Sequence, residues 1–70
     1  SGSMEPTYPV GSLIYYKAAS FEDIKENDAI TFRVDDDTLV THRVIVKNEI
    51  SQTFVTKGDA NPTNDTNPVE

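Results

Sequence analysis

Four residues of this 70-residue chain have the types needed for acyl-transfer chemistry: Ser3 in the glycine-flanked stretch Ser1-Gly2-Ser3, the single histidine His42, and the later aspartates Asp59 and Asp65. A serine hydroxyl is too weakly acidic to attack an amide unaided and needs a neighbouring imidazole to accept its proton. That imidazole in turn needs a carboxylate on its far nitrogen, which fixes the tautomer and stabilises the imidazolium. Nearly every protein contains Ser, His and Asp, so the types alone do not single out a reaction. What counts is whether the chain folds so that they meet.

The elements that must bring them together are short and extended. Residues 1–11 carry two glycines and two prolines, and Pro6 and Pro9 lack amide donors and bias the residues before them away from helix. Leu13-Ile14-Tyr15-Tyr16 has the length and composition of a strand. Phe21 to Lys25 has room for one helical turn before Asn27-Asp28 breaks it. From Ala29 to Val34 the pattern alternates, with Ile30, Phe32 and Val34 on one face. Asp35-Asp36-Asp37 reads as a solvated hairpin tip. A second strand is expected from Thr38 to about Lys47, with Val40, Val44 and Val46 on one parity. His42 shares that parity and therefore belongs to the apolar side. Lys47-Asn48-Glu49 reads as a turn, and Gln52 to Lys57 as a third strand carrying Phe54 and Val55. After Gly58 the chain is Asp, Asn, Thr and Pro with almost nothing apolar. The expected fold class is all-β: a small antiparallel sheet or partly open barrel, with turn-rich loops at both ends.

Composition narrows the possibilities further. Seventy residues allow one small domain, since domains commonly run to roughly 100–200 residues. Hydrophobic residues make up only 36% of the chain, and without cysteine no disulfide can compensate for a lean core. The missing cysteine also excludes thiolate metal sites, and a single histidine excludes a multi-histidine cage. Twelve acidic against six basic residues give a net charge of −6, the wrong sign for nucleic acid and no attraction toward anionic lipid. No apolar run approaches bilayer-spanning length. A lean core also favours self-association through an exposed strand edge.

Motif order adds what composition lacks. Ser1-Gly2-Ser3-Met4-Glu5-Pro6-Thr7 resembles the nucleophile box of type I signal peptidases. Asp23 to Phe32 resembles the strand leading toward the base, with Asn27-Asp28 where that family usually has Gly-Asp. Thr41-His42-Arg43-Val44-Ile45 is similar to the base-bearing box, and Thr56-Lys57-Gly58-Asp59-Ala60-Asn61 with the later Asp65 to the acidic box. Most bacterial members place lysine where His42 stands; histidine there resembles the endoplasmic-reticulum type. The resemblance implies Ser3 as nucleophile, His42 as general base, Asp65 as orienting acid, and Asp59 as a supporting acid pairing with Arg43. It also implies the Ser3 backbone N–H and the Ser1 hydroxyl as oxyanion donors, and Met4 and Pro6 at the substrate pocket.

The implied function is removal of signal (leader) peptides from exported preproteins, cutting after small residues, with no cofactor. Residues 1–70 would then be a catalytic domain on the extracytoplasmic side of a membrane. The parent's anchor before the serine box and its closing β segment after the acidic box would lie outside these residues. A soluble, folded but inert fragment is the companion expectation.

Two other classes compete. Asp59, Asn61, Thr63, Asp65, Asn67 and Glu70 fall at positions 1, 3, 5, 7, 9 and 12 of a calcium-loop register, although Asn64 stands where glycine is wanted and Pro62 and Pro68 interrupt it. Self-cleaving repressors of the SOS response share a Ser-Met motif and a related β fold, but use a lysine base and a DNA-binding helical domain, neither of which is present. Asn64-Asp65-Thr66 satisfies the glycosylation sequon, but a glycan beside an orienting acid would obstruct it, and the match reads as chance.

Overall fold

A computed structural model describes residues 19–70. Among them the chain is all-β: strands β1 (Ala29–Asp35), β2 (Thr38–Asn48) and β3 (Thr53–Lys57) form one antiparallel sheet in chain order. Antiparallel neighbours need only a tight turn between them, which suits a chain this short. The first hairpin closes over Asp36-Asp37, where the Asp35 Oδ1 accepts the Asp37 N–H at 2.9 Å. Ile30 lies opposite His42 and Phe32 opposite Val40, and directly opposed residues share a face. Thr31 and Thr41 occupy the other face, their hydroxyls 2.8 Å apart. The expected strand Leu13–Tyr16 and the turn-rich stretch 1–11 lie outside the described residues.

The second strand departs from simple alternation. Val44 pairs with Thr56, but the next pair is Val46 with Val55, so Ile45 is an extra residue in a β-bulge. One extra residue inverts the facing of everything beyond it. Val44 is therefore fully buried, while Val46, expected on the same face, is 42% exposed. Lys47 takes the inward place opposite Phe54, and its ammonium lies 4.6 Å from the centroid of the Phe21 ring. The second turn also falls later than expected. β2 runs through Asn48, whose Oδ1 accepts the N–H groups of Ile50 and Ser51 at 3.2 Å each. Gln52 adopts a left-handed φ of 58°, so β3 starts at Thr53.

The core is small. Among the described residues, Val44 and Phe54 are its buried apolar members, with Thr56 and His42 as buried polar neighbours. Among the described residues, one turn of 3-10 helix precedes the sheet, at Phe21–Asp23, and it lays the Phe21 ring on Phe54 at 5.0 Å. The chain then reverses at Asn27, whose φ of 78° is one that asparagine tolerates better than most residues. Asn27 donates its N–H to the Val44 carbonyl, and Val44 donates to the Asp28 carbonyl, both at 2.8 Å, fastening this turn onto β2 beside the bulge.

The polar tail does not trail away. Phe54 and Val69 exchange both backbone hydrogen bonds, at 2.8 and 2.9 Å, and the Asp65 N–H donates to the Thr56 carbonyl at 2.7 Å. At Phe54, and at the Thr56 carbonyl, the outer edge of β3 is thus already paired.

Replacing Phe54 with Ala removes the ring that Phe21 stacks on and should lower stability by about 3 kcal/mol or more in urea unfolding; a loss below about 1 kcal/mol would mean that the core lies elsewhere. At the first hairpin, the Asp37 N–H and the Thr38 hydroxyl hold the Asp35 carboxyl below the usual carboxylate range. A depressed carboxyl stabilises the fold above its ordinary pKa and loses that effect as pH falls. The difference in urea midpoint between the parent chain and Asp35→Asn should therefore be largest near neutral pH and shrink on acidification.

Candidate functional site

His42 sits mid-way along β2, on the face that carries Ile30, Phe32, Val40 and Val44. It is 8% exposed, with the Phe32 ring edge-on at 6.2 Å between centroids. A buried imidazole needs partners for its polar atoms. One comes from the tail: His42 Nδ1 lies 2.6 Å from Asp65 Oδ2. An ionised carboxylate can only accept, so with Asp65 charged the proton in this bond sits on Nδ1. That tautomer makes Nε2 the nitrogen able to take up a proton.

Asp65 reaches His42 because the segment after β3 folds back on itself. The Asn61 N–H donates to the Gly58 carbonyl at 2.9 Å, and the Lys57 ammonium donates to the carbonyls of Gly58 and Asn61, both at 2.9 Å. The chain then turns along β3, and the Thr56 hydroxyl donates to Asp65 Oδ2 at 2.7 Å. One carboxylate oxygen thus receives both His42 and Thr56. Among the described residues no buried side-chain nitrogen or oxygen lacks a partner.

Asp59 has a different engagement. Arg43 meets it with a two-point fork, Nε to Oδ1 at 3.0 Å and Nη2 to Oδ2 at 2.8 Å, and donates Nη1 to the Asn27 carbonyl at 2.8 Å. His42 and Arg43 are successive strand residues and project to opposite faces. Each draws one aspartate to its own side, so the carboxylate on the histidine is Asp65 and the one on the arginine is Asp59.

This division gives no support to the calcium-loop expectation. Hard cations need several carboxylate and carbonyl oxygens converging on one point. Asp59 and Asp65 instead turn toward different partners, and among the described residues no group of three or more His, Cys, Asp or Glu could hold a metal ion.

Beside His42 and Asp65 lies an open groove of about 450 Å³. Phe32, Val34, Val40 and His42 of the sheet form one wall and residues 61–67 the other. Ser1, Ser3, Met4 and Pro6, the other site residues expected from sequence, lie outside the described residues. Among the described residues, no helix is long and apolar enough to cross a membrane.

Sequence reasoning passed over Thr56. The available signal was its spacing: it follows Phe54 by two, placing a hydroxyl on the buried face of a strand, where it must find an acceptor.

The Arg43–Asp59 fork is partly buried, with side chains 27% and 19% exposed, and it joins the Asn27 turn to the loop after β3. Asp59→Asn and Arg43→Met should each cost about 1–2 kcal/mol, between the values for surface and buried pairs. A double-mutant cycle in urea should give a coupling of at least about 0.5 kcal/mol; strict additivity would deny that the two residues act as a pair.

No protein-family model matches the chain, and no solved structure matches it. Signal peptidase I W of Bacillus subtilis (strain 168) is 44% identical over 72 aligned positions, which take in 99% of this chain and 38% of that protein. The chain thus spans well under half the length of the curated relative it matches. The similarity to that signal peptidase extends over nearly the whole of this chain.

Proposed function

We propose that the chain carries the catalytic residues of a serine endopeptidase of the endoplasmic-reticulum signal peptidase type, which removes leader peptides from exported preproteins. The observation that carries this reading is the 2.6 Å bond between His42 Nδ1 and Asp65 Oδ2, on a buried imidazole beside an open groove. Similarity to a signal peptidase supports the reaction class.

In this mechanism the Ser3 Oγ attacks the scissile carbonyl while His42 Nε2 takes its proton. Asp65 stabilises the imidazolium that forms. The Ser3 N–H and the Ser1 hydroxyl donate to the oxyanion, each donor typically contributing about 3 kcal/mol of transition-state stabilisation. Collapse of the tetrahedral intermediate breaks the amide bond, and His42 returns the proton to the leaving amine. Water, deprotonated by the same nitrogen, then attacks the acyl-enzyme, and Ser3 Oγ departs with the proton. Small residues before the cut would meet Met4 and Pro6. The extended preprotein would run in the groove along Phe32 and Val40, presented at the extracytoplasmic membrane surface through the parent's anchor.

The electrostatics favour histidine over the lysine of the other subtype. A carboxylate beside a base favours its protonated form. For an imidazole that effect helps stabilise the imidazolium at the moment of attack. For an amine, already charged at neutral pH, it works against the free base a Ser-Lys dyad requires. His42→Lys should therefore not restore turnover.

Cleavage of a signal-peptide-bearing preprotein, presented in detergent micelles or vesicles, tests the proposal. Ser3→Ala and His42→Ala should each lower kcat by about 10⁴ or more, with little further loss in the double mutant. Near-normal cleavage by His42→Ala, or none by the parent chain, would overturn the assignment.

A further inference from the structure

We propose that Thr56 is a positioning residue that sets the Asp65 carboxylate against His42. The inference rests on the reading of His42 as base and Asp65 as its orienting acid. Thr56 is 0% exposed and stands opposite Val44 in the most buried part of the sheet. Packing alone would be served by valine, which has the same shape without the cost of burying a hydroxyl. The hydroxyl instead points its proton at the tail, Oγ1 donating to Asp65 Oδ2 at 2.7 Å.

Thr56 grips Asp65 at both ends. Its carbonyl accepts the Asp65 N–H at 2.7 Å, fixing where the backbone of the loop passes, and its hydroxyl fixes the carboxylate. The oxygen it holds is the same one that meets His42 Nδ1 at 2.6 Å. Without the hydroxyl, the Asp65 carboxylate, on a loop outside the three strands, would be free to rotate about its side-chain bonds. Both oxygens, and several distances, would then be presented to the imidazole.

Thr56 lies on the His42 side of the bulge, where the register is unbroken. Arg43 pairs with Lys57 and Val44 with Thr56, in register, and the extra residue Ile45 comes immediately afterwards.

The test compares Thr56→Val, which removes only the hydroxyl, with Thr56→Ser, which keeps it. Two readouts apply: kcat and KM for preprotein cleavage, and the 15N shifts of His42, which report the tautomer. Thr56→Val should lower kcat about 10–100-fold, the usual range for a group that orients a catalytic ligand. KM should change by less than about 3-fold, and the His42 ring should become a mixture of tautomers. Thr56→Ser should recover most of kcat and the single tautomer. A purely structural role would lower stability in both variants and leave the tautomer of the folded protein unchanged. A folded Thr56→Val with the parent's kcat and tautomer would overturn the proposal, as would a folded Thr56→Ser as impaired as Thr56→Val. If Thr56→Val does not fold, Thr56→Cys, of similar size and with only a weak donor, takes its place and is read the same way. Retained turnover in His42→Ala would instead overturn the underlying assignment of the base, so the two failures are distinguishable.

Discussion

A single carboxylate oxygen, Asp65 Oδ2, receiving an imidazole at 2.6 Å and a hydroxyl at 2.7 Å, joins the polar tail to the inner face of the sheet. Burying part of a carboxylate is unfavourable unless donors replace the water it loses. Here the donors come from two different strands, His42 on β2 and Thr56 on β3. The contact therefore requires both strands to be in register and the tail to lie along β3. Satisfying this one group constrains the positions of three segments.

The tail has little else to hold it. Residues 59–70 contribute almost no apolar surface, and burial, the usual driving force for folding, is weak there. Directional bonds take its place: the Arg43 fork on Asp59, the Lys57 ammonium on two carbonyls, the Phe54–Val69 backbone exchange and the Asp65 pair. Such bonds are each modest in net energy but strict in geometry. The loop is thus specified more by angles and distances than by packing.

What could be read from the sequence follows the same division. Alternation at Ile30, Phe32, Val40 and Val44 made β1 and β2 legible and turned His42 inward, because side-chain period and burial are coupled in a strand. The Ile45 bulge was not legible. Val44-Ile45-Val46 is an unbroken β-branched run that fits either parity, and only the pairing with β3 shows which residue is extra. Gln52 gave no warning of its left-handed backbone, since glutamine has no marked preference for it, whereas Asn27 in the preceding turn did. The edge pairing of Val69 uses backbone groups that every residue possesses and leaves almost no trace in composition. Pairing Asp65 with His42 and Asp59 with Arg43 came from motif resemblance; Asp-rich stretches alone do not say which carboxylate turns which way.

Strand alternation explains why that division is chemically useful. His42 and Arg43 are adjacent in sequence but face opposite ways, and the loop from Gly58 to Asn64 is long enough to carry the second aspartate around to the histidine side. Arg43 is a permanent cation. On the same face as His42 it would compete for Asp65 and raise the cost of forming an imidazolium beside it. Held on the far face by Asp59, its charge is largely neutralised where it stands. Lys57, directly across the sheet from Arg43, is likewise turned aside, onto two carbonyl oxygens. The two cations nearest the histidine in the strand ladder are thereby satisfied elsewhere, and the charge that meets the imidazole at Nδ1 is the Asp65 carboxylate. For the role proposed for His42, a base whose protonated form is stabilised at the moment of proton transfer, that arrangement is the favourable one.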